Sequence, residues 1–366
     1  MILKMIVSTL IPKQQNSKIF FYLLILFAIN ILLQFSANDG HIKMIYGDIV
    51  IAFLAMLIYL VLNKQKQYWF VHLATPLYFI SLIMLILVFW VGTKINGAQR
   101  WLHIGINMQP SELAKFAVPL FITSFLQKSS YNGFAEISNF KYLIAIIIIL
   151  IPSLLILKQP DLGTAILVFL SGFFVLIYAR LPKKFLIYGL LLLFISSPVI
   201  WHHLKDYQKY RIITMLHPKN DNKGKGYHVM QGKIAIGSGG FWGKGYMQGS
   251  QVHLSFVPEK NTDFVVAVLA EEFGFVGIFT LLLVYFLLLR EFLIIAQNTE
   301  ARYYRALVLG ITMSITFDIF INLAMVTGLV PVVGVPLPLI SHGGTSAIIM
   351  ILSITIISSI GLKNMK

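Results

Sequence analysis

Apolar runs of about 17 to 25 residues recur along this chain, and that length is what a helix needs to cross a hydrocarbon core. In lipid every backbone N–H and C=O must be satisfied internally, which leaves helices or a closed barrel. The runs are continuous rather than alternating, so they specify helices. The expected spans are residues 19–35, 44–62, 69–92, 112–126, 142–157, 162–179, 185–201, 264–289, 306–326 and 336–360. Hydrophobic residues make up 58% of the chain and charged residues 12%, against roughly 25% charged in soluble proteins. The fold class that follows is an all-α polytopic membrane protein with about ten transmembrane helices. Residues 1–366 form a single integral membrane domain, with one long extracytoplasmic loop, 203–262, before the eighth helix.

Charge sets the orientation. Lys plus Arg total 29 against 14 Asp plus Glu, a net charge of +15. Lys64 and Lys66, Lys128 and Lys141, Arg180 with Lys183 and Lys184, Arg290 with Arg302 and Arg305, and Lys363 with Lys366 all fall on one side of the expected spans. The positive-inside rule makes that side cytoplasmic, with both termini there. The first span follows Lys4, Lys13 and Lys18 without a small-residue cleavage site, so it reads as retained. The long loop is itself basic, with nine lysines and arginines from Lys205 to Lys260. Its excess suits anionic lipid headgroups or a pyrophosphate; no nucleic-acid partner is expected. With no cysteine, disulfides, thiol catalysis and thiolate metal sites are excluded.

The polar loop ends in Pro258-Glu259-Lys260-Asn261-Thr262-Asp263-Phe264, after which the chain turns apolar. Asp263 therefore stands at the mouth of a span, where a carboxylate touches water while the wall behind it excludes water. Thr262 is positioned to cap the following helix, and an acid in a first turn opposes the helix dipole. Helix start and general base are both open readings of Asp263. A second motif is Asn96-Gly97-Ala98-Gln99-Arg100-Trp101, followed by Gln109-Pro110-Ser111-Glu112-Leu113-Ala114-Lys115. Glu112 and Lys115 share one helix face and can pair. Ionisable groups inside a span usually mark a pathway or site, although a snorkelling lysine also fits.

Asp161, in Lys158-Gln159-Pro160-Asp161-Leu162-Gly163-Thr164, is either a turn-and-helix-start residue or a second acid on the Asp263 face. The stretch from Lys223 to Lys233, with Gly and Lys interleaved, can present backbone N–H groups to phosphate, but it lacks P-loop spacing. A mobile solvated loop explains any one of its lysines, Lys233 included. His228 and His253 show no metal-ligand spacing. Asp48, Asp318 with Asn322, and Glu271 with Glu272 read as interior polar contacts. The Pro/Gly-punctuated stretch 331–344 suggests a broken segment at membrane depth.

Together these motifs resemble the SEDS family (shape, elongation, division, sporulation) of bacterial cell-wall polymerases. The resemblance runs through 96–101, 109–115, 159–164, 226–240, 258–272 and 331–344 in the family's order. Within the family, the loop motifs look most like the rod-shape branch, with the division branch its nearest relative. The resemblance implies an inner-membrane glycosyltransferase that polymerises lipid II, a disaccharide-pentapeptide on undecaprenyl pyrophosphate, with a class B penicillin-binding protein as partner. It assigns the essential carboxylate to Asp263, the intramembrane pair to Glu112 and Lys115, and the turn acid to Asp161. Two positions depart from the family pattern. Asn261 stands where many relatives carry His, so any metal beside Asp263 lacks that imidazole, and His342 stands where relatives often carry an aromatic.

Forming a β-1,4 link from an α-linked sugar pyrophosphate inverts the anomeric carbon, as inverting glycosidases do. The acceptor hydroxyl needs a base, assigned to Asp263. The leaving pyrophosphate needs positive charge, from Lys115, Arg100, loop lysines such as Lys233, or a divalent cation (Mg or Mn). Gln109 and Ser111 complete the expected supporting set, and no cofactor is otherwise required. Two alternatives stand beside the polymerase. A flippase for the lipid-linked precursor would depend on deep charges more than on Asp263. A scaffold that only activates the penicillin-binding protein would dispense with Asp263.

Overall fold

The computed structural model describes residues 14–63, 65, 67–95, 98–104, 106–128, 137–203, 209–210, 225–254 and 256–363. Lys4, Lys13, Lys64, Lys66, Asn96, Gly97, Lys205, Arg211, Lys219, Lys223 and Lys366 lie outside them. The described chain is mainly helical, and each expected span coincides with a helix. These helices are α1 (Gln14–Ala37), α2 (Ile42–Leu62), α3 (Gln67–Val91), α4 (Pro110–Lys128), α5 (Asn139–Lys158), α6 (Leu162–Tyr178) and α7 (Lys183–His203). Two helices of the long loop follow, α8 (Lys225–Gly239) and α9 (Ser250–His253), then α10 (Val265–Asn298), α11 (Arg302–Val326) and α12 (Gly344–Lys363). Among the described residues, seven helices are long and apolar enough to cross a membrane, and Leu162–Tyr178 is a shorter apolar helix.

Four local expectations change. The connection after α3 folds as a three-stranded antiparallel sheet, β1 (Thr93–Ile95), β2 (Ala98–Ile104) and β3 (Ile106–Met108), in the order β1-β2-β3. Thr93 faces Trp101, and Leu102 faces Met108. The Gly/Lys-interleaved stretch is helical as α8, because its Val229, Gly232 and Ala235 recur at helical spacing and are buried. The last span starts at Gly344 rather than 336, since Pro336 and Pro338 cannot supply helical N–H groups. Finally, Thr262 does not cap α10. The residue at the N-cap is Phe264, and the Thr262 hydroxyl instead bonds Glu259 Oε2 at 2.9 Å.

Within lipid, helices associate by close packing and by polar contacts rather than by leaving water. Small residues make this possible: a Cβ added at Gly310 on α11 would stand 2.4 Å from Val175 Cγ2 on α6. One apolar cluster joins α1, α2, α10, α11 and α12 around Tyr59, Phe264 and Phe292, and a second joins α3 to α6 around Leu85, Ile149 and Val175. Gly274 interrupts α10 at φ 62, ψ −155. The turn it opens is stitched to the loop after α8: Phe275 N donates to Gly240 O at 2.9 Å and Lys244 N to Glu271 O at 2.9 Å. A Cβ at Gly274 would lie 2.4 Å from Gly243 N.

Residues 331–343 are irregular, and several of their carbonyls are taken up by side chains from distant helices, as buried backbone requires. Asn30 Nδ2 donates to Ile340 O at 2.5 Å and Tyr285 Oη to Pro338 O at 2.5 Å. Asn322 Nδ2 donates to Val335 O at 2.7 Å.

Candidate active site

The irregular segment and the 258–264 turn are laced together. Ser341 Oγ donates to Thr262 O at 2.6 Å, and His342 N donates to Asn261 O at 2.8 Å. Gln34 Nε2 from α1 reaches the same Asn261 carbonyl at 2.8 Å, while Asn322 Nδ2 from α11 reaches Asp263 O at 3.1 Å. Three parts of the chain, the 341–342 turn, α1 and α11, thus fix the backbone that carries Asp263. Gly334 approaches the carboxylate closely; a Cβ there would sit 3.4 Å from Asp263 Oδ2, and its φ of 75 favours glycine.

Asp263 opens into a cavity of about 590 Å³, whose walls include Arg100, Gln109, Glu112, Asp161, Glu259 and His342. Asp161 does two things. Its Oδ1 accepts from Thr164 N at 3.2 Å, capping α6, and its Oδ2 accepts from Gln109 Nε2 at 3.2 Å and lies 3.4 Å from Arg100 Nη1. Arg100, carried by β2, also donates to Gln159 O at 3.3 Å and to Pro160 O. The helix-start reading of Asp161 therefore holds together with its place on the Asp263 cavity.

Glu112 belongs to two layers. It lines this cavity and also a small buried one of about 20 Å³ beneath it, beside Lys115 and Asp318. Lys115 Nζ lies 3.1 Å from Glu112 Oε2 and 3.0 Å from Asp318 Oδ2. The i,i+3 pair is present, and Asp318, 203 residues further on, makes it a triad. Lys115, Ser111 and Lys233 do not line the large cavity. Ser111 is buried in the first turn of α4, and Lys233 is exposed on α8, near Gly328.

Counted by sign, the large cavity faces Glu112, Asp161, Glu259 and Asp263, with Arg100, His228 and His342 as its basic side chains. His342 is half-exposed and outside the helices; its Nδ1 meets the buried Asp48 Oδ1 at 2.8 Å. That hydrogen bond holds the His342 pKa above its ordinary 6.5. Glu259, His228 and His342 were not singled out as part of this site from sequence. Glu259 lies four residues before Asp263, but His228 and His342 are 35 and 79 residues away in sequence, and only the fold brings them to one cavity. Among the described residues, no three His, Asp or Glu side chains are grouped to hold a metal.

Outside the cavity, Glu271 caps α9 by accepting from Gln251 N at 2.9 Å and Val252 N at 3.1 Å, and pairs with Lys244 at 2.6 Å. His253 bonds Asp39 at 2.5 Å, which lowers the Asp39 pKa. These contacts fasten the loop helices to α10 and to the α1–α2 turn.

The chain matches the FtsW/RodA/SpoVE family model, described as cell cycle protein, over residues 9–366. It is 40% identical over 340 residues to the peptidoglycan glycosyltransferase MrdB of Escherichia coli K12, covering 92% of this chain and 91% of that protein. It is 34% identical over 295 residues to the probable peptidoglycan glycosyltransferase FtsW of Trichlorobacter lovleyi, covering 79% and 76%. Its fold is similar to RodA of Thermus thermophilus (TM-score 0.70, 28% identity, covering 95% and 97%). It is also similar to a chain of a peptidoglycan synthase complex described in terms of polymerization and crosslinking (TM-score 0.80, 29% identity, covering 95% and 98%).

Proposed function

The chain belongs to the FtsW/RodA/SpoVE family and is a multi-pass peptidoglycan glycosyltransferase, and we propose that Asp263 is the general base of its glycan-forming step. The observation that carries this reading is the position of Asp263: a carboxylate at the start of α10, on a backbone pinned by three separate parts of the chain, opening into a cavity of about 590 Å³.

In the proposed reaction the 4-hydroxyl of one lipid-linked sugar attacks the anomeric carbon of another. The new β-1,4 C–O bond forms as the α C–O bond to pyrophosphate breaks, inverting that carbon. Asp263 takes the hydroxyl proton, and undecaprenyl pyrophosphate leaves with the bonding pair. A positioned base contributes about 10²–10⁴-fold. Lipid II is the proposed substrate, its tails entering sideways between helices.

Among the described residues, Arg100 and protonated His342 are cations placed to meet the pyrophosphate, since both line the cavity. Lys115 works one layer lower, holding Glu112. A divalent cation, Mg or Mn, would be held by cavity carboxylates such as Asp263 and Glu259 and would supply positive charge for the leaving pyrophosphate. A class B penicillin-binding protein is the proposed partner, supported by the likeness to a chain of a peptidoglycan synthase complex. We place the protein in the cytoplasmic (inner) membrane with ten crossings and both termini cytoplasmic. The convergence of Arg180, Arg302 and Arg305 on one face supports this orientation.

The test is polymerisation of lipid II by the purified protein with its partner, comparing wild type with Asp263→Asn and Asp263→Ala. Both variants should fold, bind the partner and make no polymer. Near-normal polymer from Asp263→Asn would reduce Asp263 to a helix-start residue. Lipid II translocation across vesicles without polymer from wild type would replace this reading with a flippase.

A further inference from the structure

The ends of α6 and α11 remote from Asp263 flank a further, solvent-open cavity of about 120 Å³, walled by Tyr178, Arg180, Arg302, Arg305, Ala306 and Leu309. α6 begins at Asp161 and α11 ends near Asn322 on the Asp263 side, so this cavity lies at the opposite membrane face. We propose that it is a binding site for a phosphate-bearing anion, the headgroup of an anionic phospholipid.

Four observations converge on an anion. First, among the described residues none of the three arginines makes an ion pair with a carboxylate, while Lys18, Arg100, Lys115, Lys244 and Lys260 all do. The three exposed guanidinium groups lining one small space make a locally concentrated positive surface that favours an anion there. Second, Arg305 is held in place: its Nε and Nη2 donate to Thr299 O at 2.9 and 2.6 Å, which fixes the fork at the cavity wall.

Third, the cavity lies at the N-terminus of a 25-residue helix whose N-cap is Ala301, which offers no side-chain cap. First-turn N–H groups and the positive end of the dipole are left for an anion. Fourth, Arg180 holds a left-handed backbone, φ 64, that glycine normally fills. The turn is closed by Leu181 N donating to Leu176 O at 2.9 Å, and Tyr142 Oη donates to Ala179 O at 2.6 Å. Keeping a long cation at such a position is a cost that a ligand would offset.

The choice of a lipid over free phosphate comes from the gradient along α11. Arg302, Arg305, Ala306 and Leu309 follow i, i+3, i+4, i+7 spacing on one face. Charge at the helix start gives way to apolar wall one turn inward, the order of phosphate then acyl chain. Basic pockets between membrane helices bind anionic headgroups in this way. Because α6 and α11 pack closely at Gly310 and Val175 and both reach the Asp263 cavity, an occupied site would brace the two helices that carry its walls. This inference does not depend on the role given to Asp263.

The test uses the full chain, purified in detergent, stripped of lipid and examined by native mass spectrometry. Phosphatidylglycerol, phosphatidylethanolamine and inorganic phosphate are added in separate arms. Wild type should retain one phosphatidylglycerol in clear preference to phosphatidylethanolamine. The double variant Arg302→Gln/Arg305→Gln should lower that retention about tenfold or more, while Arg290→Gln, an arginine outside the cavity, should leave it unchanged. Arg302→Lys, which keeps charge but not the fork, should fall between them and serves if the double variant does not fold. Equal retention of both lipids, an unaffected double variant, or an equal loss from Arg290→Gln would overturn the site. Displacement of phosphatidylglycerol by millimolar inorganic phosphate would overturn the lipid assignment in favour of a soluble phosphate.

Discussion

Replacing Lys115 by Met should destabilise the protein far more than replacing either of its acidic partners. Lys115 Nζ sits 3.1 Å from Glu112 and 3.0 Å from Asp318, with side-chain exposures of 10%, 7% and 2%. The triad holds two carboxylates and one ammonium around a cavity of only about 20 Å³, too little room for much water. Lys115→Met keeps the side-chain length but leaves two buried acids facing each other without a cation. Breaking a buried pair by removing one member costs about 3–5 kcal/mol, and here two partners are orphaned at once. Asp318→Asn leaves the Lys115–Glu112 pair intact and nearly neutral, so it should cost roughly 1–3 kcal/mol, the range for a lost buried hydrogen bond. Adding Asp318→Asn to Lys115→Met removes one of the two orphaned acids and should restore part of the loss. The assay is thermal unfolding of the detergent-purified chain in one fixed lipid mixture. The reasoning fails if Lys115→Met unfolds with wild type, if Asp318→Asn is the more damaging change, or if the double variant is no more stable than Lys115→Met alone.

Two further outcomes follow from the geometry. His342 keeps its proton above the ordinary 6.5 because Asp48 Oδ1 accepts from Nδ1. The stabilisation from that pair is therefore complete below about pH 6.5 and lost as pH rises through the raised value. The unfolding gap between wild type and His342→Gln should shrink steadily from about pH 6 to pH 9, and a gap independent of pH would refute it. Gly274→Ala places a Cβ 2.4 Å from Gly243 N at a φ of 62, so it should cost more than about 1 kcal/mol. It should also loosen the loop after α8, read as faster hydrogen exchange at Phe275 N. Unchanged stability and exchange would show that the break in α10 is not held by that contact.

What the sequence shows and what it hides divide along range. Apolar run length marks the helices because a bilayer sets one thickness for every span, and the Glu112–Lys115 pair is legible because both residues lie on one turn of α4. Asp318 is not legible as their partner, for nothing local in α11 points to α4. The same holds for His342, which looks like ordinary loop punctuation until Asp48 and Asn261 are seen to hold it. Local rules also compete: Thr262 has cap chemistry, but the helix starts two residues later than that rule expects and Phe264 takes the cap position. In α8 the glycines and lysines suggested open loop, while buried Val229 and Ala235 decided for helix.

The 331–343 segment bears on how this chain is made. Its carbonyl at Ile340 is satisfied by Asn30, 310 residues earlier, and that at Pro338 by Tyr285. At roughly 5–20 residues per second of synthesis, the first of those partners waits on the order of 15–60 seconds for the last. Until then the Asp263 cavity lacks the wall that carries Gly334 and His342. The early helices can enter the membrane and pack in order, but Asp263 gains its full surroundings only as the final span arrives, so nascent chains should stay inactive until synthesis is nearly finished.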